Sequence, residues 1–126
     1  MEINKIIKDQ LKASHRENCF IENNEIGVRI IDSAKITIDD KNVIRLKFEP
    51  IDGIGLKYVS AFFRNRISSR DLEFWIMENG ITLRYRGSVS PKVNKFKVAM
   101  DIYMAFDNLY SQYIIFNRLV LSSSAQ

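Results

Sequence analysis

The chain has one histidine and one cysteine, His15 and Cys19, and they lie close together in the sequence. A cysteine nucleophile needs surroundings that lower its pKa, and a histidine base needs both a nucleophile and a group that orients it. His15 follows a short amphipathic segment, where an imidazole interacts favourably with the C-terminal end of a helix dipole. We therefore expect a structural histidine and a half-buried thiol, and a single histidine excludes a multi-histidine metal site.

Two further segments resemble fragments of catalytic motifs. Asp39-Asp40-Lys41 has the acid, spacer and lysine arrangement found in metal-dependent nucleases, and Gly53-Ile54-Gly55 precedes Lys57. Asp and Lys are common in turns, and the glycine segment lacks both the third glycine and the Ser or Thr of a phosphate-binding loop. We interpret the first as a turn and the second as a connector, and expect no metal, no cofactor and no enzymatic activity.

Positive charge is concentrated in the middle of the chain. Residues 57–97 hold nine Lys and Arg against three Asp and Glu, whereas the whole chain has a net charge of +4. Such a charge distribution favours an anionic partner or an acidic patch on a second copy of the chain. The single cysteine and the absence of an apolar N-terminal segment indicate a reducing, cytoplasmic compartment, and no apolar run has the length of a membrane span.

The hydrophobic spacing predicts an α+β domain over residues 1–121 and a flexible tail at 122–126. We expect an antiparallel sheet of four to five strands, built from two hairpins and covered on one face by three helices. The predicted helices are an N-terminal one at 2–15, a middle one at about 57–68, and a long C-terminal one that begins at Ser90-Pro91 and ends near 121. The apolar composition of 113–121 leaves a final strand there as the alternative.

The register of the first hairpin follows from its side-chain faces. A three-residue loop, Asp40-Lys41-Asn42, pairs Ile38 with Ile44 and Ile36 with Leu46, and Asn42 tolerates the left-handed conformation that such a loop requires. The opposite face then carries Lys35, Thr37, Arg45 and Lys47.

The second hairpin is predicted from Asn79-Gly80, the preferred sequence of a type I′ turn. Counting outward from that turn pairs Ile76 with Leu83 on one face. On the other face the same register pairs Trp75 with Arg84 and Glu73 with Arg86, which are favourable cross-strand partners.

Basic residues of both hairpins surround one aromatic side chain if the hairpins share a sheet. Basic groups around an exposed aromatic ring can contact phosphates and stack a base, and the same charges suit an acidic protein. The middle helix adds arginines that point away from its apolar side. The predicted anion- or partner-binding residues are Lys35, Arg45, Lys47, Arg64, Arg66, Arg70, Trp75, Arg84 and Arg86.

The C-terminal helix has more apolar surface than one sheet can cover. Its aromatic flank has residue types that are favoured at protein interfaces. The predicted interface residues are Phe96, Tyr103, Phe106, Tyr110 and Tyr113. We therefore expect a non-enzymatic protein-interaction or regulatory module that forms a homo-oligomer through this helix and binds an acidic protein partner. Nucleic-acid binding through the basic sheet face around Trp75 is the alternative.

Overall fold

The computed structural model of the protein describes residues 3–67, 71–86 and 94–124, and for residues 122–124 it describes the backbone alone. The described residues form three helices and one six-stranded antiparallel sheet. In chain order the elements are α1 (Ile3–Ser14), β1 (Cys19–Glu22), β2 (Glu25–Ile31), β3 (Ala34–Ile38), β4 (Val43–Phe48), α2 (Leu56–Arg64), β5 (Leu72–Met77), β6 (Gly80–Tyr85) and α3 (Lys95–Ser124). The α+β class and the long C-terminal helix are confirmed, but the sheet has more strands than the four to five expected.

β1 is a strand that the sequence analysis did not predict. It pairs with β2 through a two-residue turn, Asn23-Asn24, in which both residues have positive φ, 50° and 64°. These are the left-handed conformations of a type I′ turn, which asparagine adopts more readily than most residues. β1 has only four residues and two of them are exposed, so its sequence carries little alternation to detect.

The strand order of the sheet is β1-β2-β3-β4-β6-β5, and every neighbouring pair is antiparallel. Alternate side chains of each strand point to the helices and form the core. The fully buried members on this face include Ile26, Val28, Ile36, Ile38, Ile44, Leu46, Ile81 and Leu83. We call the opposite face, which points away from the helices, the outer face.

Phe116 lies where α2, β4 and α3 meet. The centre of its ring is 5.3 Å from that of Phe62 and 5.2 Å from that of Phe63 on α2, and 5.8 Å from that of Phe48 on β4. The predicted alternative of a final strand at 113–121 is therefore wrong, because α3 continues through this segment and packs it against the sheet. The helix backbone also includes residues 122–124, which we had expected in a flexible tail.

α1 covers a second side of α3. The Tyr103 hydroxyl donates a hydrogen bond to the Ser14 hydroxyl at 3.0 Å, and the rings of His15 and Tyr110 are 4.9 Å apart. The predicted start of the long helix at Ser90-Pro91 lies outside the described residues.

The β3–β4 hairpin has the predicted register. Ile38 pairs with Ile44 and Ile36 with Leu46, and Asn42 adopts a φ of 62°. Asp39 stabilises the loop, because its Oδ1 accepts hydrogen bonds from the backbone N–H groups of Lys41 at 2.9 Å and Val43 at 3.0 Å. Its Oδ2 accepts a third from Arg45 at 2.8 Å.

The predicted register of the β5–β6 hairpin is wrong by two residues. Trp75 pairs with Thr82, Glu73 with Arg84 and Met77 with Gly80, so the two-residue turn is Glu78-Asn79 instead of Asn79-Gly80. Neither turn residue has the positive φ of a type I′ turn. A shift of two residues leaves every side chain on its expected face, since the side-chain period of a strand is two.

Gly80 explains the shift, because β6 uses it for close contact with β4. A Cβ atom at this position would lie 2.5 Å from the carbonyl oxygen of Leu46. The neighbouring backbone is also held, since the N–H of Phe48 donates to the carbonyl oxygen of Asn79 at 3.0 Å. Glycine is therefore required inside the strand and does not serve the turn.

We expect Gly80→Ala to lower the free energy of unfolding by about 1–3 kcal/mol, because the added methyl group forces β4 and β6 apart. Gly55→Ser is the control: a Cβ at Gly55 meets no atom within 4 Å, and serine is a favourable residue at the start of α2. Urea denaturation followed by Trp75 fluorescence measures both. Equal stability of Gly80→Ala and the wild type would contradict the close contact of the two strands.

We expect Asp39→Asn to lower the free energy of unfolding by about 1–2 kcal/mol at neutral pH, since it removes the charge paired with Arg45. Burial alone would raise the pKa of Asp39, but the hydrogen bonds from Arg45, Val43 and Lys41 outweigh burial and lower it below 3.8. The carboxylate therefore stabilises the fold above about pH 4, and this contribution is lost as the pH falls through the lowered pKa.

The difference in the free energy of unfolding between the wild type and Asp39→Asn should consequently be smaller at about pH 3 than at neutral pH. Asp40→Asn, at an exposed position in the same loop, is the control and should differ little from the wild type at either pH. An undiminished difference at low pH, measured by urea denaturation, would show that the Asp39 charge is not the cause.

Candidate functional site

The middle of the outer face is a row of paired residues that crosses all six strands. In strand order this row is Phe20, Gly27, Thr37, Arg45, Thr82 and Trp75. The sequence-predicted residues Lys35, Arg45, Lys47, Trp75 and Arg84 all lie on this face, so the two hairpins do share a sheet as expected.

Phe20 covers one side of the outer face. A Cβ at Gly27 would lie 2.5 Å from the Cζ atom of Phe20, so the aromatic ring rests directly on the glycine backbone. The Arg29 guanidinium carbon is 6.0 Å and the Lys35 Nζ 5.8 Å from the centre of the ring, at the limit of cation–π distance. Thr37, the cross-strand partner of Gly27, is only 4% exposed.

Three cations stand side by side in the next row. Arg29 pairs directly with Lys35, Lys35 pairs with Lys47, and Lys47 pairs with Gly80. We call Arg29, Lys35 and Lys47 the cationic row. Like charges in direct cross-strand positions destabilise a sheet, so the cationic row is unfavourable for the isolated fold.

A concavity of about 670 Å³ opens on the cationic row. Its lining includes Gly80, which lies between Lys47 and Met77 in the same cross-strand row. Its lining includes Asp32 in the β2–β3 turn, Asn79 in the β5–β6 turn and Glu49 just after β4. The concavity is open to solvent.

Carboxylates on the outer face neutralise some of its cations. Arg45 is 2.8 Å from Asp39 and 3.8 Å from Glu25, Lys35 is 3.9 Å from Glu22, and Arg84 is 3.3 Å from Glu73.

Within the described part of the chain, Arg29 and Lys47 have no carboxylate within 4 Å. Both of these outer-face cations line the concavity, which also contains the carboxylates of Asp32 and Glu49 beyond ion-pair distance.

Trp75 and Met77 form an apolar edge beside the concavity. Their side chains are 48% and 53% exposed. The guanidinium carbon of Arg84 lies 5.9 Å from the Trp75 ring while the same group pairs with Glu73. The expected contact between Arg84 and Trp75 is thus present, although the two are diagonal neighbours and not direct partners.

Arg64, the last residue of α2, and Arg66, just beyond the helix, contact other parts of the fold. Arg64 lies 5.6 Å from the centre of Phe74, whose side chain is on the helix-covered side, and Arg66 stacks at 4.1 Å on Phe62. The positions of Arg64 and Arg66 do not support the prediction that Arg64, Arg66, Arg70, Arg84 and Arg86 form one electropositive surface, because both contact aromatic rings on the helix-covered side of the sheet.

Two other predicted members of that surface are only partly placed. Arg86 is exposed just beyond the end of β6, where its N–H donates to the carbonyl oxygen of Asp71 at 2.9 Å. Arg70 lies outside the described residues.

Two of the five predicted interface residues of α3 are in the core. Phe106 is fully buried, and Tyr113 is so well buried that its pKa rises to about 12. Neither has surface left for a partner, so the expected interface does not include them. Tyr103 and Tyr110 are half-buried beside α1, and of the five only Phe96 is exposed, at 61%.

The single cysteine and the single histidine are both half-buried. Burial raises the pKa of the Cys19 thiol, and the weaker opposing effect of Lys12 does not cancel it. The Nε2 atom of His15 is buried and finds no hydrogen-bond partner among the described residues. Those residues also contain no cluster of three or more His, Cys, Asp or Glu that could hold a metal ion.

Sequence reasoning missed Phe20, Arg29 and Gly80 as parts of this face. Arg29 alternates with Val28 and Ile30, so a complete count of strand faces would have placed it beside Lys35. Gly80 had been assigned to a turn, and Phe20 belongs to the strand that was not predicted.

No helix in the described ranges is both long and apolar enough to cross a membrane. No protein-family model, curated protein or solved structure matches the chain. The geometry of the outer face and of α3 is therefore the basis for any functional conclusion.

Proposed function

We propose that the protein is a non-enzymatic interaction module that binds an acidic segment of a partner protein on the outer face and pairs with a second copy through α3. The cationic row carries this proposal. Three like charges in adjacent cross-strand positions cost stability, and a carboxylate-bearing ligand in the concavity would offset that cost.

The residues around the concavity favour a partner segment that has both acidic and apolar side chains. Arg29 and Lys47 offer their charges to carboxylates, while Met77 and Trp75 offer exposed apolar surface at one edge. An extended acidic segment that also contains an apolar or aromatic side chain fits both features.

An acidic protein suits this face better than nucleic acid does. Interfaces with nucleic acid are much more positively charged than interfaces between proteins. Here the carboxylates of Glu22, Glu25 and Glu73 lie among the cations of the same face. They would repel a continuous phosphate backbone, whereas the localised charge of the cationic row suits a few carboxylates.

Self-association is supported by the outward side of α3. Phe96, Met104, Ile115, Leu119 and Leu121 are large apolar residues that are at least 42% exposed on this one helix. Exposed apolar residues concentrated on one element mark interaction surfaces more often than scattered ones do.

We expect Lys47→Glu to weaken binding of a fluorescein-labelled ten-residue peptide, with glutamate at alternate positions and one tryptophan, by about tenfold. The reversal places a carboxylate at the concavity and leaves the core untouched. Fluorescence anisotropy at low salt measures the affinity. Lys57→Glu makes the same charge change at an exposed position on α2 and should bind like the wild type.

Two results would contradict this assignment. Equal loss of affinity in Lys47→Glu and Lys57→Glu would show that net charge, and not the concavity, attracts the peptide. Tighter binding of a labelled oligothymidine, with an affinity that falls steeply with salt and is reduced in Lys47→Glu, would favour the nucleic-acid alternative.

A further inference from the structure

Six exposed side chains on α3 form a stripe along its outward side: Asp101, Met104, Asn108, Ser111, Ile115 and Arg118. Their separations alternate between three and four residues, which is the spacing of the seam between two helices of a coiled coil. We call these six residues the α3 stripe. It is about 26 Å long, at a rise of about 1.5 Å per residue.

The chemistry of the α3 stripe is symmetric about its centre, between Leu109 and Tyr110. The outermost residues, Asp101 and Arg118, have opposite charges. The next two, Met104 and Ile115, are apolar, with exposed fractions of 62% and 42%. The innermost two, Asn108 and Ser111, are polar and uncharged.

A two-fold axis through this centre makes the stripe complementary to itself. When two such helices run antiparallel, Asp101 faces the partner's Arg118 and Met104 faces the partner's Ile115, and each contact occurs twice. In a parallel pair, Asp101 would face Asp101 and Arg118 would face Arg118. The charges therefore favour the antiparallel arrangement.

We propose that the α3 stripe is the contact surface of an antiparallel homodimer with this register. The proposal rests on the self-association that forms part of the proposed function, and it names the residues and the geometry. It replaces the predicted aromatic interface, two members of which are buried in the core.

The charged ends of the stripe are available for a partner. Within the described residues, neither Asp101 nor Arg118 has an oppositely charged group within 4 Å. Asp101 also lines a groove of about 600 Å³ that contains the carboxylates of Asp71 and Asp107. The antiparallel register brings the partner's Arg118 to this acidic groove.

The polar centre of the stripe defines the register. The Asn108 amide donates its N–H to the carbonyl oxygen of Arg66 at 3.2 Å, which fixes the orientation of the side chain. Its Oδ1 atom can then accept a hydrogen bond from the hydroxyl of the partner's Ser111. A polar residue at such a position selects one register and orientation, at some expense of affinity.

The size of the contact sets the expected affinity. One pair of helices of this length lies at the small end of specific interfaces, so we expect a reversible dimer with a dissociation constant of about 1–100 µM. Exposed Leu119, next to the stripe, adds apolar surface.

Charge reversal tests the register. Asp101→Arg or Arg118→Asp alone turns both symmetry-related attractive pairs into repulsive ones, and each should raise the dissociation constant about tenfold or more at low salt. The double variant Asp101→Arg/Arg118→Asp restores opposite charges and should dimerise within about threefold of the wild type. Sedimentation equilibrium of the whole chain measures all four proteins.

Mixing the two single variants gives an independent result. In a heterodimer of Asp101→Arg with Arg118→Asp both end pairs have opposite charges again. An equimolar mixture should therefore dimerise although each variant alone does so weakly. Asp9→Arg and Lys5→Asp, at exposed positions of α1, are the matched controls and should dimerise like the wild type. Circular dichroism checks that every variant remains folded.

The measured dimerisation distinguishes the α3-stripe register from self-association through some other surface. A wild-type monomer at every concentration up to about 1 mM would overturn both the register and self-association. A wild-type dimer that is unaffected by the single reversals, or that the mixture fails to restore, would overturn the α3 stripe and leave self-association standing. Peptide binding at the concavity is measured separately and depends on neither result.

Discussion

The pairing of β4 with β6 is the contact on which the rest of the structure depends. It joins the four-stranded part formed by β1 to β4 with the β5–β6 hairpin, and a two-stranded hairpin alone is marginally stable in water. Gly80 permits this pairing because the carbonyl oxygen of Leu46 occupies the place of a side chain. The same glycine lines the concavity of the outer face. One backbone contact therefore joins the two parts of the core-covering sheet and lies beside the candidate site.

The parts of the fold that could be predicted are those that depend on local patterns. The β3–β4 hairpin was predicted correctly because its alternation is strict on both sides and Asn42 suits the left-handed loop position. The β5–β6 register was not, because Asn79-Gly80 is a strong local turn signal, and the contact that claims Gly80 comes from β4, more than thirty residues earlier in the chain. Local sequence patterns do not reveal such a long-range contact between two strands.

In the candidate site, too, local periodicity predicted some features, and the others depend on tertiary neighbours. Side-chain alternation placed Lys35, Arg45, Lys47, Trp75 and Arg84 on one face correctly, and an error of two residues did not disturb them. Which cations remain uncompensated depends on distances to Glu22, Glu25 and Glu73, and those follow from strand order. For α3, helical periodicity separates a buried from an exposed side only when the neighbours are known. The aromatic flank that looked exposed is partly covered by α1 and the sheet, whereas the exposed side of α3 includes polar residues such as Asn108 and Ser111.

The reactivity of the Cys19 thiol can be used to follow local opening of β1 at the edge of the sheet. β1 is an edge strand, and its cysteine is the only one in the chain. The thiol is half-buried against the core, and its pKa is raised by that burial, so a thiol reagent reacts slowly while β1 stays in place. Local opening of the strand exposes a normally reactive thiol. When alkylation is slower than reclosing, the alkylation rate of the unmodified protein therefore reports the equilibrium population with the edge strand detached, without any label or substitution.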